Sequence, residues 1–402
     1  MKQSVLFDFL DRRHLDFAEF VASSEENVAY INWNDYVLPQ DYGDPQAEYR
    51  AIRSSCALCD VSPMRKVRIV GDQAAFFLDH LVTRPVSSEP VQRGIYVVLC
   101  NADGTLKDDA MLYKFAEDDY LLMPSDMDHR PHLEALRKGL GIASDKLTIE
   151  EQSDQWIGLA VQGPRSALVM QRLGFSEAPE LSPYEAATST LDGVQVRIAR
   201  MGFTADLGYE LWCPPALAGA LMQALREVRS ELGLALPGYG LAALEACRLE
   251  GGFVVAGWDF ATEADPAEGF ERYPQEVGLG WLVDLDAIDF VGKQALLAKK
   301  QHGFRYLLRT FHSSYPAAVE DGTRVFARQD DGEQVIGTVN CSAWSWGLEK
   351  TIGNVSIERE FAGVVDGWIS VDGARYSLQL GRGAHIDLER RNQIPAETYF
   401  PR

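Results

Sequence analysis

The chain has 402 residues, of which 46% are hydrophobic and 24% are charged. This length exceeds a single ordinary core and predicts two or three domains of about 150 residues each. The formal net charge of −21 argues against a nucleic-acid partner and against an anionic membrane, because binding phosphate requires a surface rich in Lys and Arg.

The first part of the chain is expected to alternate between helices and strands. Residues 1–67 are predicted to begin with a helix, which is followed by a loop rich in aromatic residues at 30–36. The patterns that follow predict a strand at 67–70, a helix at 73–81, a hairpin at 94–114 and a helix at 131–140.

The second part continues with the same elements and then changes character. We expect a strand near 155–162, a helix at 164–173, a strand at 194–200 and helices at 215–232 and 241–251. After about residue 296, short strands separated by Asp-Gly turns predict an all-β domain. The order strand–helix–strand–strand–helix–strand suits split βαβ units, so the predicted fold class is α+β.

Cysteine and histidine usage gives little sign of a disulfide framework or a metal site. The six cysteines are scattered, and Cys56 and Cys59 have no second pair at ligand spacing. His129 and His132 are expected at the surface start of a helix. We predict no metal and free thiols in a reducing compartment. With no long apolar run and no apolar leader, we expect a cytoplasmic protein without a membrane partner.

The hairpin at 94–114 carries adjacent carboxylates at the start of its second strand. Neighbouring residues of a strand face opposite sides, so at most one of Asp108 and Asp109 faces a pocket. From the residues alone, solvated charges beside a turn are the favoured interpretation, because charged side chains are mostly exposed.

The same hairpin resembles the folate-binding hairpin of the aminomethyltransferase (glycine-cleavage T-protein) family, which comprises tetrahydrofolate-dependent one-carbon transferases. Thr105 replaces the second glycine of the family pattern. The residues that match at the same spacing are Tyr96, Asn101, Gly104, Asp108 and Asp109. Further family motifs follow in order at 60–64, 160–164, 202–210, 247–250, 274–281 and 290–293. The resemblance runs from about residue 50 to residue 300.

This resemblance implies a T-protein-like architecture of three domains around a central folate cavity. Residues 1–67 with 150–262 are expected to form an α+β folate-binding domain, and 68–149 with 263–302 an α+β domain that carries the hairpin. Residues 303–402 are expected to form a C-terminal β-barrel or sandwich.

The resemblance also implies the site residues. Asp109 is expected to be catalytic and to contact the folate, with Asp108 as a structural partner on the opposite face. Glu210 matches the glutamate that binds the pteridine, since a carboxylate accepts two hydrogen bonds at once. The other expected cofactor contacts are Tyr96, Phe203, Arg248 and Trp281. Leu244 stands where the family has an arginine near the folate tail, so Arg248 is expected either to replace it or to form a buried ion pair.

The substrate is inferred from departures from the family pattern. Branches of the family demethylate small molecules onto folate, and retention of Asp109 favours a cationic N-methyl amine or sulfonium. Trp344 and Trp346 alternate across Ser345, so they are predicted to share a side and to form an aromatic wall with Tyr36, or else to pack in a core.

Three other functions remain open. The first is a glycine-cleavage T-protein that acts on an aminomethyl-lipoyl carrier protein. The second is a folate-binding module without catalysis. The third, a nucleotide-binding oxidoreductase, is disfavoured because no Gly-x-Gly-x-x-Gly follows a predicted strand.

Overall fold

The computed structural model describes residues 2–7, 10, 30–330 and 332–395. The strands before residue 160 are β1 Tyr30–Trp33, β2 Tyr36–Pro39, β3 Ala57–Asp60, β4 Val67–Val70, β5 Arg93–Cys100, β6 Leu106–Ala116, β7 Asp119–Pro124, β8 Thr148–Glu151 and β9 Ile157–Gln162. The later strands are β10 Ala186–Leu191, β11 Val194–Ala199, β12 Gly208–Cys213, β13 Tyr306–Ser313, β14 Arg324–Gln329, β15 Gly332–Ser345, β16 Lys350–Glu358, β17 Asp366–Val371 and β18 Ala374–Gly381. The α-helices are α1 Pro45–Ser54, α2 Ala74–Leu81, α3 Arg130–Gly139, α4 Ser166–Arg172, α5 Ala218–Leu232, α6 Leu241–Glu250 and α7 Lys293–His302.

The N-terminal segment at 30–39 forms a β-hairpin of β1 and β2. Its two turn residues, Asn34 and Asp35, have φ of 49° and 66°. Asn and Asp tolerate this left-handed conformation, which a two-residue hairpin turn requires. The prediction of a loop at 30–36 is therefore wrong, and the predicted N-terminal helix falls mostly outside the described residues.

The first large sheet has the antiparallel strand order β10-β11-β12-β9-β3. One face packs against α4 and α5, and its buried residues alternate along the strands with the period of two that a strand requires. In β12, for example, Tyr209 and Leu211 join this core, which leaves Glu210 and Trp212 on the other face. The first sheet therefore has one face sealed by helices and one face turned toward the rest of the molecule.

The second large sheet has the order β5-β6-β7-β4-β8 and contains the predicted hairpin, β5–β6. Helix α2 covers one face, where Phe77 and Leu78 pack with Val97 and Leu112. The hairpin turn needs Gly104, because its φ of 84° lies in the left-handed region that favours glycine. The second sheet is thus also covered by helices on one side.

The C-terminal strands form a closed barrel in the order β13-β16-β15-β14-β17-β18. Its interior is apolar, with residues such as Phe311, Ile336 and Val355 fully buried. The predictions of an α+β fold and an all-β C-terminal domain are confirmed. The exact domain limits stay a prediction. The large sheets and the barrel lie within the three predicted units, except for Val67 and residues 150–151 at the strand ends.

Two buried carboxylates fasten the barrel to the first sheet and its helices. Glu250, at the end of α6, accepts from Tyr49 at 2.7 Å, from Arg53 Nη2 at 2.6 Å and from Ser345 of β15 at 2.5 Å. Asp259 accepts from the side-chain amide of Asn354 in β16 at 3.1 Å. These bonds fix the segment 250–260 against the barrel. No helix in the described part of the chain is both long and apolar enough to cross a membrane.

Candidate active site

Asp109 and Tyr96 lie on one face of the β5–β6 hairpin. The register places Val98 opposite Asp109 and Leu99 opposite Asp108, so the two aspartates face opposite sides. The Tyr96 hydroxyl donates to Asp109 Oδ2 at 2.8 Å. The interpretation of both aspartates as solvated charges is wrong, because Asp108 is fully buried and Asp109 is half-buried.

The surroundings of Asp109 raise the pKa of its carboxyl group to near neutral pH. Burial raises the pKa of Asp109 to about 7, and the negative charges of Asp108 and Asp259 act in the same direction. The hydrogen bond from Tyr96 acts in the opposite direction, because it favours the carboxylate. A side chain with a pKa near the working pH is suited to accept or release a proton.

Asp108 belongs to the interior of the second sheet. It accepts from His129 Nε2 at 2.7 Å and from the Ser125 amide at 3.2 Å. His129 directly precedes α3 and is fully buried, so the expectation of a surface position for it is wrong. The reason is the pairing with Asp108, which the spacing of residues in the chain does not reveal.

Glu210 is a buried carboxylate with unused hydrogen-bonding capacity. It is 3% exposed, and its Oε2 has no hydrogen-bond partner in the described part of the chain. Burial raises the pKa of Glu210 to about 7, whereas the positive charge of Lys66 lowers it. Buried polar atoms are almost always hydrogen-bonded, so this free oxygen is a candidate ligand contact.

Lys66 supplies a buried positive charge near Glu210. Its side chain is fully buried, and its ammonium donates to the carbonyls of Ser62 at 3.1 Å and Met64 at 2.6 Å. Burial lowers the pKa of Lys66 to about 8, and the charges of Glu210 and Asp60 oppose this shift. Lys66 therefore favours an ionised Glu210.

The face of β6 that carries Asp109 packs against the face of β12 that carries Glu210. Tyr113 shares its face with Asp109, and Trp212 shares its face with Glu210, because side chains along a strand repeat every two residues. The ring centroids of Tyr113 and Trp212 are 5.0 Å apart, within one buried cluster. The two carboxylates therefore lie on facing surfaces of the second and first sheets.

Gln162 shapes the loop that precedes β12. Its amide donates to the carbonyls of Met201 at 3.1 Å and Tyr209 at 3.2 Å, and it accepts from the Thr204 hydroxyl at 2.7 Å. A Cβ at Gly202 would lie 2.0 Å from its side-chain oxygen, and a Cβ at Gly208 would lie 2.2 Å from it. The motif at 160–164 and the motif at 202–210 thus meet in space, and both glycines leave room for Gln162.

Aromatic side chains remain exposed around these residues. Phe203 is 39% exposed, and its ring centroid lies 5.3 Å from that of Phe253. Trp281 is 68% exposed, and its ring lies 6.3 Å from that of Tyr96. Trp281 therefore lies beside Tyr96, the hydrogen-bond donor to Asp109, and Phe203 lies in the loop that precedes β12, the strand of Glu210.

Arg248 does not have the position expected of a cofactor contact. Its side chain is fully buried. Its Nε donates to Glu245 at 2.8 Å, and its Nη1 donates to the Phe253 carbonyl at 2.9 Å and approaches Asp259 at 3.4 Å. Its Nη2 also contacts Glu245. The buried ion pair is the correct alternative. Leu244 is uncharged and packs against an apolar cluster, and the charge of Arg248 is already paired. Neither residue therefore offers a free positive charge to a ligand.

The predicted aromatic wall is not assembled as expected. Trp346 follows the end of β15, and its ring packs on that of Tyr49 at 5.5 Å. Trp344 lies inside β15, opposite Thr351 of β16. The contacts of Tyr36 are the Asp154 carboxylate, 3.0 Å from its hydroxyl, and the Lys2 ammonium, 4.4 Å from its ring centre. Neither contact brings Tyr36 to either tryptophan, and Trp346 lies beyond the last residue of β15.

The family model for the GCVT N-terminal domain matches residues 21–287 of the chain. An aminomethyltransferase from Halothermothrix orenii is 31% identical over 334 residues, which cover 83% of this chain and 89% of that protein. A trimethylamine-oxide aldolase from Ruegeria pomeroyi is 29% identical over 308 residues, which cover 73% of this chain and 36% of that protein.

The fold agrees with these sequence matches. The crystal structure of glycine cleavage system aminomethyltransferase T from Bartonella henselae superposes with a TM-score of 0.79 at 19% identity. The match covers 96% of this chain and 98% of that one. At this identity the likeness shows the fold, and the sequence matches show the family. The chain therefore belongs to the aminomethyltransferase (glycine-cleavage T-protein) family of one-carbon transferases.

Proposed function

We propose that this enzyme moves a one-carbon group, methyl or methylene, from a small methylated substrate to N5 of tetrahydrofolate. The proposed donor of a methyl group is an N-methyl amine or a sulfonium, whereas a methylene group requires a donor already at the oxidation level of an aminomethyl group. The observation that carries the proposal is the pair of carboxylates on facing surfaces, Asp109 and Glu210, both with a pKa raised to about 7. Carboxylates with a raised pKa on facing surfaces of two sheets are candidates for a functional site.

Tetrahydrofolate fits the residues that are present. The free Oε2 of Glu210 is a buried acceptor, and a reduced pteridine offers neighbouring N–H donors to a carboxylate. Phe203, Tyr96 and Trp281 offer aromatic faces for the flat rings of the cofactor. When bound, tetrahydrofolate would supply N5 as the acceptor of the one-carbon group.

Asp109 is the proposed catalytic residue. Tyr96 holds its carboxyl group by one hydrogen bond, which fixes the orientation of the remaining oxygen. In its ionised form, Asp109 would stabilise the positive charge that passes from the donor to the accepting nitrogen during transfer, and this effect is stronger in a site that excludes water. In its protonated form, it supplies a proton to a leaving group. A pKa of about 7 makes both forms available.

The donor class rests on charge and on one relative. An acidic site with exposed aromatic rings is complementary to a methylated cation. The Ruegeria pomeroyi relative is named for trimethylamine oxide, which is an N-methyl compound. The six cysteines are free and buried, which supports a reducing compartment, and we propose the cytoplasm as the location.

A second candidate function is that of a glycine-cleavage T-protein acting on an aminomethyl-lipoyl carrier protein. The name aminomethyltransferase of the Halothermothrix orenii relative favours it. A third is a folate-binding module without catalysis. The two catalytic candidates differ in the donor that they use, and all three candidates require folate binding.

Titration calorimetry with tetrahydrofolate tests the part that the candidates share. We expect binding to one site per chain, and an increase of about 2.7 kcal/mol in the free energy of unfolding at a hundredfold excess over the dissociation constant. If the folded protein gives neither heat of binding nor a thermal shift, the proposed function is wrong.

A further inference from the structure

We infer that His129 is a positioning residue: it holds the Asp108 carboxylate behind Asp109 and thereby sets the pH at which Asp109 exchanges its proton. This inference deepens the proposed function and rests on it in one respect, because it takes Asp109 as the catalytic residue. His129 and Asp108 are here called the buried pair.

The buried pair lies on the face of β6 that is covered by helices. His129 Nε2 is 2.7 Å from Asp108 Oδ2, and both side chains are fully buried. The His129 carbonyl accepts from the Leu133 amide at 2.9 Å, which fixes His129 at the start of α3. Leu133 packs in the core of the second sheet. The helix therefore holds the imidazole against Asp108 without the help of a ligand.

The hydrogen-bond partners of the buried pair match a charged Asp108 and a neutral His129. Asp108 also accepts from the Ser125 amide at 3.2 Å and from the Asp109 amide at 2.9 Å. An ionised carboxylate only accepts hydrogen bonds, so three donors suit its charged form. His129 Nδ1 is buried and has no partner among the residues that the structure describes. A proton on Nδ1 would lack an acceptor, so the neutral imidazole donates through Nε2 and leaves the negative charge of Asp108 uncancelled.

The charge of Asp108 acts on Asp109 through the strand. The Asp109 amide donates to Asp108 Oδ1, so the carboxylate is held against the backbone of the catalytic residue. The Asp109 side chain projects to the opposite face of β6. Burial is the main cause that raises the pKa of Asp109 to about 7, and the negative charge of Asp108 is the second. Like charges repel strongly where water is excluded, and protonation of Asp109 relieves this repulsion.

On the face of Asp109, the main titratable neighbours in the described part of the chain are Tyr96 and Asp259. Burial raises the pKa of the Tyr96 phenol well above its ordinary value, so Tyr96 stays neutral and donates to Asp109. Asp259 raises the pKa of Asp109 less than Asp108 does, and its carboxylate lies 3.4 Å from the Arg248 guanidinium. Asp108 is therefore the neighbouring charge with the largest influence on Asp109.

On the other face, the titratable groups around the buried pair are Lys107, Glu263, His132 and Asp126. Lys107 forms an ion pair with Glu263. Burial lowers the pKa of His132 to about 4, so this ring is neutral at the pH where Asp109 titrates. Burial raises the pKa of Asp126, and the negative charge of Asp108 acts in the same direction. Asp126 thus responds to Asp108 as Asp109 does, and the two titrations have to be measured separately.

The test follows the titration of the Asp109 carboxyl group in the protein without folate or a methyl donor. Carbon NMR of protein labelled at the aspartate carboxyl carbons resolves the individual groups, and the resonance that is missing in Asp109→Asn belongs to Asp109. We expect Asp108→Asn to lower the titration midpoint of Asp109 by about one pH unit or more, because the neighbouring negative charge is removed. The part of the pH profile of turnover that depends on Asp109 should move by the same amount.

Two replacements test His129 itself. His129→Gln keeps an N–H donor for Asp108, so the midpoint of Asp109 should stay unchanged. His129→Leu removes the donor, so the buried Asp108 carboxyl should take up a proton and the midpoint of Asp109 should fall as in Asp108→Asn. Adding His129→Leu to Asp108→Asn should give no further shift, because His129 acts through Asp108. If His129→Leu fails to fold, His129→Asn, whose side chain is too short to replace Nε2, takes its place.

A matched control is Asp72→Asn, which also removes one negative charge from the second domain but lies at the surface, where Asp72 pairs with Lys146. The midpoint of Asp109 should not change in this variant. A midpoint in Asp108→Asn equal to that of the unmodified protein would overturn the inference. An unchanged midpoint in the folded variant that lacks the His129 donor would also overturn it. The proposed function fails separately, through absent folate binding, because no ligand is present in the titration.

Discussion

The rings of Tyr113 and Trp212 lie 5.0 Å apart, edge to face, where the second sheet meets the first. Each ring shares a strand face with one of the two perturbed carboxylates, Asp109 on β6 and Glu210 on β12. This contact shows that the strand faces that carry the two carboxylates pack against each other. The catalytic and cofactor-binding roles that we propose depend on that relationship.

The first prediction separates the two aspartates by turnover. Asp109→Asn keeps the size of the side chain and its acceptor for the Tyr96 hydroxyl, so folding and folate binding should persist. Turnover should fall by about 10²-fold or more, the scale of one lost electrostatic or acid–base group. Steady-state kinetics with the same donor measures the effect.

Asp108→Asn is the matched control for this experiment. Asp108 accepts from His129 and from the amides of Ser125 and Asp109, and an asparagine oxygen cannot serve all of these buried donors. We expect a loss of about 1–3 kcal/mol in the free energy of unfolding, with much less effect on turnover. Equal losses of turnover in both variants would contradict the assignment of opposite faces.

The second prediction concerns stability against pH. The pKa of Asp109 is raised to about 7 from an ordinary value near 3.8. The folded state therefore holds this proton more tightly than the unfolded state, so Asp109 lowers stability progressively as pH rises from about 4 to about 7. Asp109→Asn removes this penalty. It should raise the free energy of unfolding at pH 8 by up to about 4 kcal/mol, with little gain below pH 4.

Denaturant unfolding at pH 4 and pH 8 provides the measurement for this second prediction. A gain at pH 4 that equals the gain at pH 8 would show that ionisation of Asp109 is not the cause.

The third prediction concerns Glu210→Gln. The variant retains one acceptor oxygen but replaces the free Oε2 with an N–H donor, which opposes the N–H donors of a pteridine. Tetrahydrofolate binding should weaken by about tenfold to hundredfold. In the unmodified protein, affinity should fall as pH drops below about 7, because the accepting carboxylate becomes protonated. If the variant binds tetrahydrofolate as tightly as the unmodified protein, and the affinity of the unmodified protein does not change with pH below about 7, Glu210 does not contact the folate.

The fourth prediction distinguishes the two tryptophans of the C-terminal domain. Trp346 packs on Tyr49 beside the Glu250 hydrogen bonds, so Trp346→Leu should lower the free energy of unfolding by about 2–4 kcal/mol. Trp344→Leu should cost less stability and, if this residue contacts substrate, should raise the KM of the donor. Melting temperature and KM are measured for both variants. A Trp346→Leu protein of unchanged stability would contradict the packing role.

Sequence patterns correctly predict the features that depend only on the local sequence. The turn before Asp108, the alternation of faces along β6 and the all-β C-terminal domain each follow from residues close together in the chain. The predicted loop at 30–36 belongs instead to the hairpin at 30–39, whose turn residues Asn34 and Asp35 tolerate a left-handed conformation.

Other features depend on residues far apart in the chain, and no local pattern contains them. Arg248 forms ion pairs with Glu245 and Asp259. The buried His129 pairs with Asp108, which is 21 positions away in the chain. No sequence pattern predicts that Lys66 is buried near Glu210, because a lone lysine beside a strand is ordinarily exposed to solvent.

The central claim is one-carbon transfer from a methylated cation to folate, and mass analysis of the folate products tests it most directly. The protein is incubated with tetrahydrofolate and, separately, with N-methyl amines, a dimethylsulfonium compound or an aminomethyl-lipoyl carrier protein. We predict a 5-methyl product with one of the methylated donors, lost in Asp109→Asn; a 5,10-methylene product is expected only from an aminomethyl donor. A product with the carrier protein alone, or no product from any donor despite bound folate, would contradict the account.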